Sequence, residues 1–128
     1  MRVLLDTHAL VWSVANSSRL SPVARNLMDD PSIAKLVSMA SLWEIAIKVR
    51  LRKLEFGIEF DALVGLIEDE GLATFLPITP AHVQHLQHLE MHHRDPFDRM
   101  LVAQAMTESL PLISADASLD NYGVQRLW

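Results

Sequence analysis

Val3-Leu4-Leu5-Asp6-Thr7-His8-Ala9-Leu10 opens with three apolar residues that stop at an aspartate and a threonine. Arg2 to Leu5 reads as a short β-strand, and Asp6 or Thr7 can cap a helix carrying His8, Leu10, Val11 and Val14. The same alternation recurs downstream. Ser21-Pro22 sets a cap before a proline at the first helical position and opens a helix toward Asp29, and Leu36-Val37-Ser38 follows as a buried strand. From Ser41, the residues Leu42, Ile45, Ala46 and Val49 keep helical period. A further helix covers Phe60 to Glu70, with Leu63, Leu66 and Ile67 facing inward, and Gly71 ends it. Thr74-Phe75-Leu76 reads as a strand. Thr79-Pro80 and Asp95-Pro96 repeat the cap-then-proline signal, for helices through Val83, Leu86 and Leu89 and through Met100, Leu101, Ala103, Ala105 and Met106. Leu112-Ile113-Ser114 forms a strand that breaks at Asp116, and Val124 to Leu127 adds an edge strand. Strands separated by helices imply an α/β fold, a mostly parallel central sheet with helices on both faces. Such sheets bind ligands beyond the carboxyl ends of their strands, where Asp6 and Asp116 fall.

The 128 residues suit a single domain spanning 1–128, and the half of them that are hydrophobic suffice for a core without metal or disulfide staples. Cysteine is absent, no apolar stretch reaches the roughly 18 residues of a spanning helix, and no basic leader precedes an apolar segment. The expectation is a soluble cytoplasmic protein with no membrane partner. A mean hydropathy of +0.17 leaves apolar surface for a subunit or partner to cover, and oligomerisation is the default.

Asp6, Glu44, Asp98 and Asp116 each interrupt or end an apolar run. A charge beside hydrocarbon is costly unless hydrogen-bonded, paired or metal-bound, so several together suggest a shared task, holding Mg²⁺ or Mn²⁺ against an RNA phosphate. Each also has a structural reading. Asp6 can cap the next helix. Glu44 can pair with Lys48 one turn on, although Trp43, Ile45 and Ile47 leave little polar surface around it. Asp95 before Pro96 is a good N-cap, and Asp98 can accept the reciprocal bond of a capping box, a reach for which aspartate is short. Asp116 can be a turn residue, oriented by the hydroxyls of Ser114 and Ser118.

The net charge of −5 argues against a polyanionic partner. Distribution tempers this: Lys48, Arg50, Arg52 and Lys53 crowd one segment, and Arg94 and Arg99 flank the Asp95-to-Asp98 cluster. With divalent ions offsetting the acids, Lys48, Arg94 and Arg99 become candidate contacts to RNA phosphate. The plain alternative for Lys48 to Lys53 is the solvated end of a helix. Aromatic residues are too few to suggest base-stacking readout. The link Arg52 to Gly57 and the histidine-rich turn Glu90 to Arg94 are the expected mobile pieces.

Two rival functions follow from other residues. His82, His85 and His88, followed by His92 and His93, could build a transition-metal site or a metal-independent ribonuclease. Their progression drifts around a helix instead of converging, which favours a solvated face. Alternatively the chain is a non-catalytic subunit whose acidic cleft accepts a basic partner segment. A phosphotransfer site of the Asp-x-Asp kind would need aspartate at position 8, which is His8.

The chain resembles the PIN-domain ribonucleases, and within them the VapC-like toxins of bacterial toxin–antitoxin pairs, over almost its whole length. The resemblance is carried by Leu4-Leu5-Asp6-Thr7-His8-Ala9-Leu10, by Ser41-Leu42-Trp43-Glu44-Ile45-Ala46-Ile47-Lys48, by His92 to Ala105, and by Ser114-Ala115-Asp116. It implies a PIN-like sandwich whose acids gather into one metal site. Asp6, Glu44, Asp98 and Asp116 would be the catalytic, metal-holding carboxylates, with Asp95 as a secondary candidate and Thr7 and Ser114 as supporting hydroxyls. Ser114 stands where threonine is common, and Arg52 where glycine is expected. The implied activity is Mg²⁺- or Mn²⁺-dependent endoribonuclease hydrolysis leaving 5′-phosphate and 3′-hydroxyl ends. RNA would be the substrate, a cognate protein antitoxin the partner, and a homodimer the assembly. Without metal, clustered carboxylates repel, so some should hold protons near neutrality.

Overall fold

The computed structural model describes residues 1–128. Five strands, β1 (Arg2–Leu5), β2 (Ala34–Ser38), β3 (Thr74–Leu76), β4 (Leu112–Ile113) and β5 (Arg126–Leu127), form one sheet in the order β3-β2-β1-β4-β5. Every neighbouring pair is parallel, so the sheet expected to be mostly parallel is wholly so. The helices are α1 (Thr7–Val14), α2 (Pro22–Asp29), α3 (Met39–Arg50), α4 (Phe60–Glu68), α5 (Pro80–Gln87) and α6 (Pro96–Glu108). No helix is long and apolar enough to cross a membrane.

Successive residues of a strand point to opposite faces, and β1 shows the consequence. Val3 and Leu5 join a core with Leu10, Ala24, Leu63 and Ile67 from α1, α2 and α4. Leu4, between them, packs into a second core with Leu101, Val102 and Ala105 of α6. Burying each such leucine contributes about 1.5–3 kcal/mol, so both faces must be covered by helices.

Local chemistry sets the boundaries. The Ser21 hydroxyl accepts the Ala24 N–H at 3.0 Å, as the serine-proline signal predicts. Helix α3 starts at Met39, ahead of the expected Ser41, because the hydroxyl of Ser38 at the end of β2 accepts the Ala40 N–H at 3.0 Å. Helix α4 stops at Glu68, short of Glu70, and Gly71 follows at a φ of +72°. Helix α5 stops at Gln87, short of Leu89. An unanticipated 3₁₀ segment, Ala117–Tyr122, separates β4 from β5.

Because β2 and β4 flank β1 on opposite sides, the chain reverses its winding direction between β1 and β4. The crevice beyond the strand ends at that switch point is where a doubly wound sheet presents ligand-binding groups.

Candidate metal centre

Asp6 leaves β1 directly after Leu5, and its N–H donates to the Ile113 carbonyl at 3.0 Å. Its Oδ1 accepts the Ala9 N–H at 2.7 Å, so Asp6 does cap α1, a role that uses one of its two oxygens. The residue is buried. That burial pushes its carboxyl above the ordinary value and the nearby Asp116 charge adds to the push, against the Ser114 hydroxyl and the Ala9 N–H.

Glu44 lies almost wholly buried on α3, 3 % exposed, between two partners. The Thr7 hydroxyl lies 2.6 Å from Oε1 and 3.1 Å from the Ser41 hydroxyl. A threonine hydroxyl has one proton, which goes to the carboxylate, so Ser41 donates to Thr7. On the other side the Lys48 ammonium sits 2.6 Å from Oε2. The pair with Lys48 and the buried acid are therefore two aspects of one arrangement.

Asp95 caps α6: its Oδ1 accepts the N–H groups of Phe97 and Asp98 at 2.8 and 3.2 Å. The reciprocal bond of a capping box is absent, because the Asp95 N–H donates to Nδ1 of His93 at 3.1 Å. The Asp98 carboxylate is thus relieved of capping. Burial pushes it up to about 7, and the charges of Asp95, Glu44 and Asp6 push the same way against His93. At Asp116 burial also acts upward, but the Ser118 hydroxyl at 2.6 Å, the Ser118 N–H at 3.0 Å and His93 hold the group below the usual carboxylate range.

His93, which the sequence offered only as part of the rival histidine site, stands instead among the acids of this centre. Its Nε2 lies 3.0 Å from Asp116 Oδ2 and 3.5 Å from Asp98 Oδ2. The available signal was its place two residues ahead of Asp95 in the motif. One ligand atom from each of His93, Asp98 and Asp116 falls within 4.8 Å of the others. An oxygen-rich set with negative charge in excess, marked by the raised Asp98, fits a hard divalent cation.

The remaining predicted residues fall as follows. Ser114, fully buried, accepts the Asp116 N–H at 3.1 Å. Arg94 is exposed. The Arg99 guanidinium donates to the Glu90 and Leu89 carbonyls at 2.8 and 3.3 Å. The Tyr122 hydroxyl accepts the N–H groups of His92 and His93 at 3.1 and 2.9 Å, so the turn expected to be mobile is fastened from two sides. His82, expected on a solvated face, is fully buried. Its Nδ1 accepts the Thr79 N–H at 3.0 Å, leaving Nε2–H to donate to Glu108 at 2.8 Å. His82, His85 and His88 form no metal-ligating group. Trp43, 61 % exposed, packs edge-on against Phe97 with ring centres 5.2 Å apart, one residue before Glu44 and Asp98 respectively.

A wholly parallel sheet with Asp6 and Asp116 beyond its central strands defines an α/β domain with an acidic crevice at its switch point. The model of the PIN domain family matches residues 3–125, and the chain belongs to that family. Its fold is similar to that of Rickettsia felis VapBC2 bound to a promoter DNA fragment, with TM-score 0.70, 11 % identity and full coverage of both chains. It is likewise similar to Mycobacterium tuberculosis VapC20, a toxin cleaving the sarcin-ricin loop, with TM-score 0.67, 16 % identity and 95 % of each chain covered. VapBC-1 of nontypeable Haemophilus influenzae gives TM-score 0.68 at 15 % identity, over 98 % of this chain and 96 % of that one. No curated protein matches the sequence significantly.

Proposed function

We propose that this PIN domain is an endoribonuclease dependent on Mg²⁺ or Mn²⁺ and the toxin half of a pair with a protein antitoxin. The observation that supports the reading is the meeting of His93, Asp98 and Asp116 within 4.8 Å, with Asp98 held near 7 by burial and by the acids around it. Asp6, Asp98 and Asp116 would hold the cation, with Asp95 beside them. Glu44, oriented by Thr7 and neutralised by Lys48, would set the charge of the floor. When bound, the cation lowers the pKa of an attached water and draws charge from the phosphate. Lys48, Arg94 and Arg99 remain the candidate phosphate contacts, Arg99 being also bonded to the turn.

Partner binding is supported by two surfaces. The α3–α4 link carries an open groove of about 640 Å³ lined by Val49, Leu54, Phe56, Ile58 and Phe60, suited to the apolar side chains of an antitoxin segment. Along α3, Met39, Trp43, Ile47 and Leu51 are exposed at four-residue intervals, a ridge that a second copy would cover in a homodimer. Complexes of VapB with VapC are among the similar structures.

The test is RNA cleavage by the parent, Asp6→Asn and Asp98→Asn under Mg²⁺ titration, with the product ends determined. Metal-dependent cleavage to 5′-phosphate ends, lost in both variants, is expected. Equal activity in parent and Asp6→Asn would remove Asp6 from the centre, and cyclic phosphate formed in EDTA would favour histidine chemistry.

A further inference from the structure

We propose that His93 is a positioning residue of the acidic centre, an imidazole whose Nδ1 is engaged by the main chain and whose Nε2–H holds Asp116 without ligating the cation. The inference rests on reading the centre as a metal site. The Asp95 N–H points at Nδ1 from 3.1 Å, and a ring nitrogen that accepts a hydrogen bond carries no proton. The ring proton therefore sits on Nε2. From there it is donated to Asp116 Oδ2 at 3.0 Å, with Asp98 Oδ2 at 3.5 Å alongside.

The grouping looks like a site with imidazole as its third ligand, but ligation through Nε2 would move the proton to Nδ1. Two donors would then face each other across 3.1 Å, and the Asp95 N–H would lose its acceptor. The Asp95 carboxylate is directed into α6, its Oδ1 accepting the Phe97 and Asp98 N–H groups. The His93 main chain is held too, its N–H donating to the Tyr122 hydroxyl at 2.9 Å. His93 thus links the N-terminus of α6 to the turn after β4 and sets how far Asp116 stands from Asp98. Groups that orient ligands in this way typically govern metal affinity by about 10- to 100-fold.

Long-range ¹H–¹⁵N spectra of the histidine rings, with and without saturating Mg²⁺, read the tautomer directly in the parent protein. Titration with Mn²⁺ compares the parent with His93→Ala and with His93→Gln, whose amide can still donate. We expect the Nε2–H form in both states, Mn²⁺ affinity reduced about 10- to 100-fold in His93→Ala, and most of it recovered in His93→Gln. A proton on Nδ1, or unchanged affinity in His93→Ala, would overturn the role of His93. Failure of the parent to bind Mg²⁺ or Mn²⁺ would sink the metal reading itself, a result distinct from a wrong tautomer in the metal-free protein.

Discussion

The Asp6 N–H donates to the Ile113 carbonyl at 3.0 Å, one residue beyond the pairing of Leu5 with Ile113. This ladder bond fixes the backbone of the first acid against the strand that delivers the last. Between them, α3 and α6 bring Glu44 and Asp98 over the same crevice, where Asp98 senses both Asp6 and Glu44. Burial together with the charge so concentrated raises the carboxyls of Asp6 and Asp98 above the ordinary value.

In the metal-free fold Asp98 titrates at about 7, against 3.8 for an ordinary aspartate. Between these values the folded state holds more protons than the unfolded one, so stability falls as pH rises from about 4 to about 7 and then levels off. Asp98→Asn, uncharged throughout, should exceed the parent by about 1–2 kcal/mol at pH 8 in EDTA, solvent reaching a quarter of the side chain and screening the rest. The two should coincide near pH 4. Urea denaturation at both pH values decides this, and an equal gap at each would refute it.

Thr7 donates to Glu44 at 2.6 Å where both are buried. Thr7→Val keeps the shape and removes the donor, so a loss of about 1.5–3 kcal/mol is expected, the range for a hydrogen bond to a charged group. Thr7→Ser should retain most of that stability. If valine is tolerated as well as serine in chemical denaturation, the bond contributes nothing.

Arg52, standing where the family likeness leads one to expect glycine, has a φ of +56° after the end of α3. A side chain in the left-handed region costs about 1–2 kcal/mol, part of which glycine returns through its freer unfolded chain. Arg52→Gly should therefore raise stability by roughly 0.5–1 kcal/mol, read as a higher Tm. A lower Tm would mean that the arginine side chain contributes more than its backbone costs.

Gln104 is fully buried on α6, and its Oε1 has no partner. Its amide nitrogen reaches the Pro77 carbonyl and His82 Nδ1 only at 3.4 Å. Gln104→Met, similar in volume, should leave stability unchanged or raise it by up to about 1 kcal/mol, since an unsatisfied buried oxygen is removed. Loss of more than about 2 kcal/mol would show the weak amide contacts to be essential to the packing of α5 on α6.

Much of the fold was legible because its signals are local. Serine or aspartate before proline marked the starts of α2 and α6, and short apolar runs marked β1, β2 and β4. The acids were legible as charges set in apolar runs. His82 was not, because the spacing that suggested a solvated face cannot show that Glu108, on a different helix, waits to accept its proton. The contacts of Arg99 were hidden for a similar reason: the carbonyls it meets at Leu89 and Glu90 become neighbours only when the turn folds back. His93 was hidden in a run of histidines, its importance resting on Asp116 across the crevice.

The sequence by itself determined which segments are strands and helices, how most of them are capped, and that carboxylates of the type a hard cation prefers end apolar runs. These follow from interactions within one or two turns of chain. Tertiary structure alone decided that β1 lies between β2 and β4, that Asp98 and Asp116 face one imidazole, and that Asp98 is driven toward neutrality. The physical reason is range: strand order and burial arise from contacts between distant residues, and the field at a carboxylate depends on charges that only packing brings near.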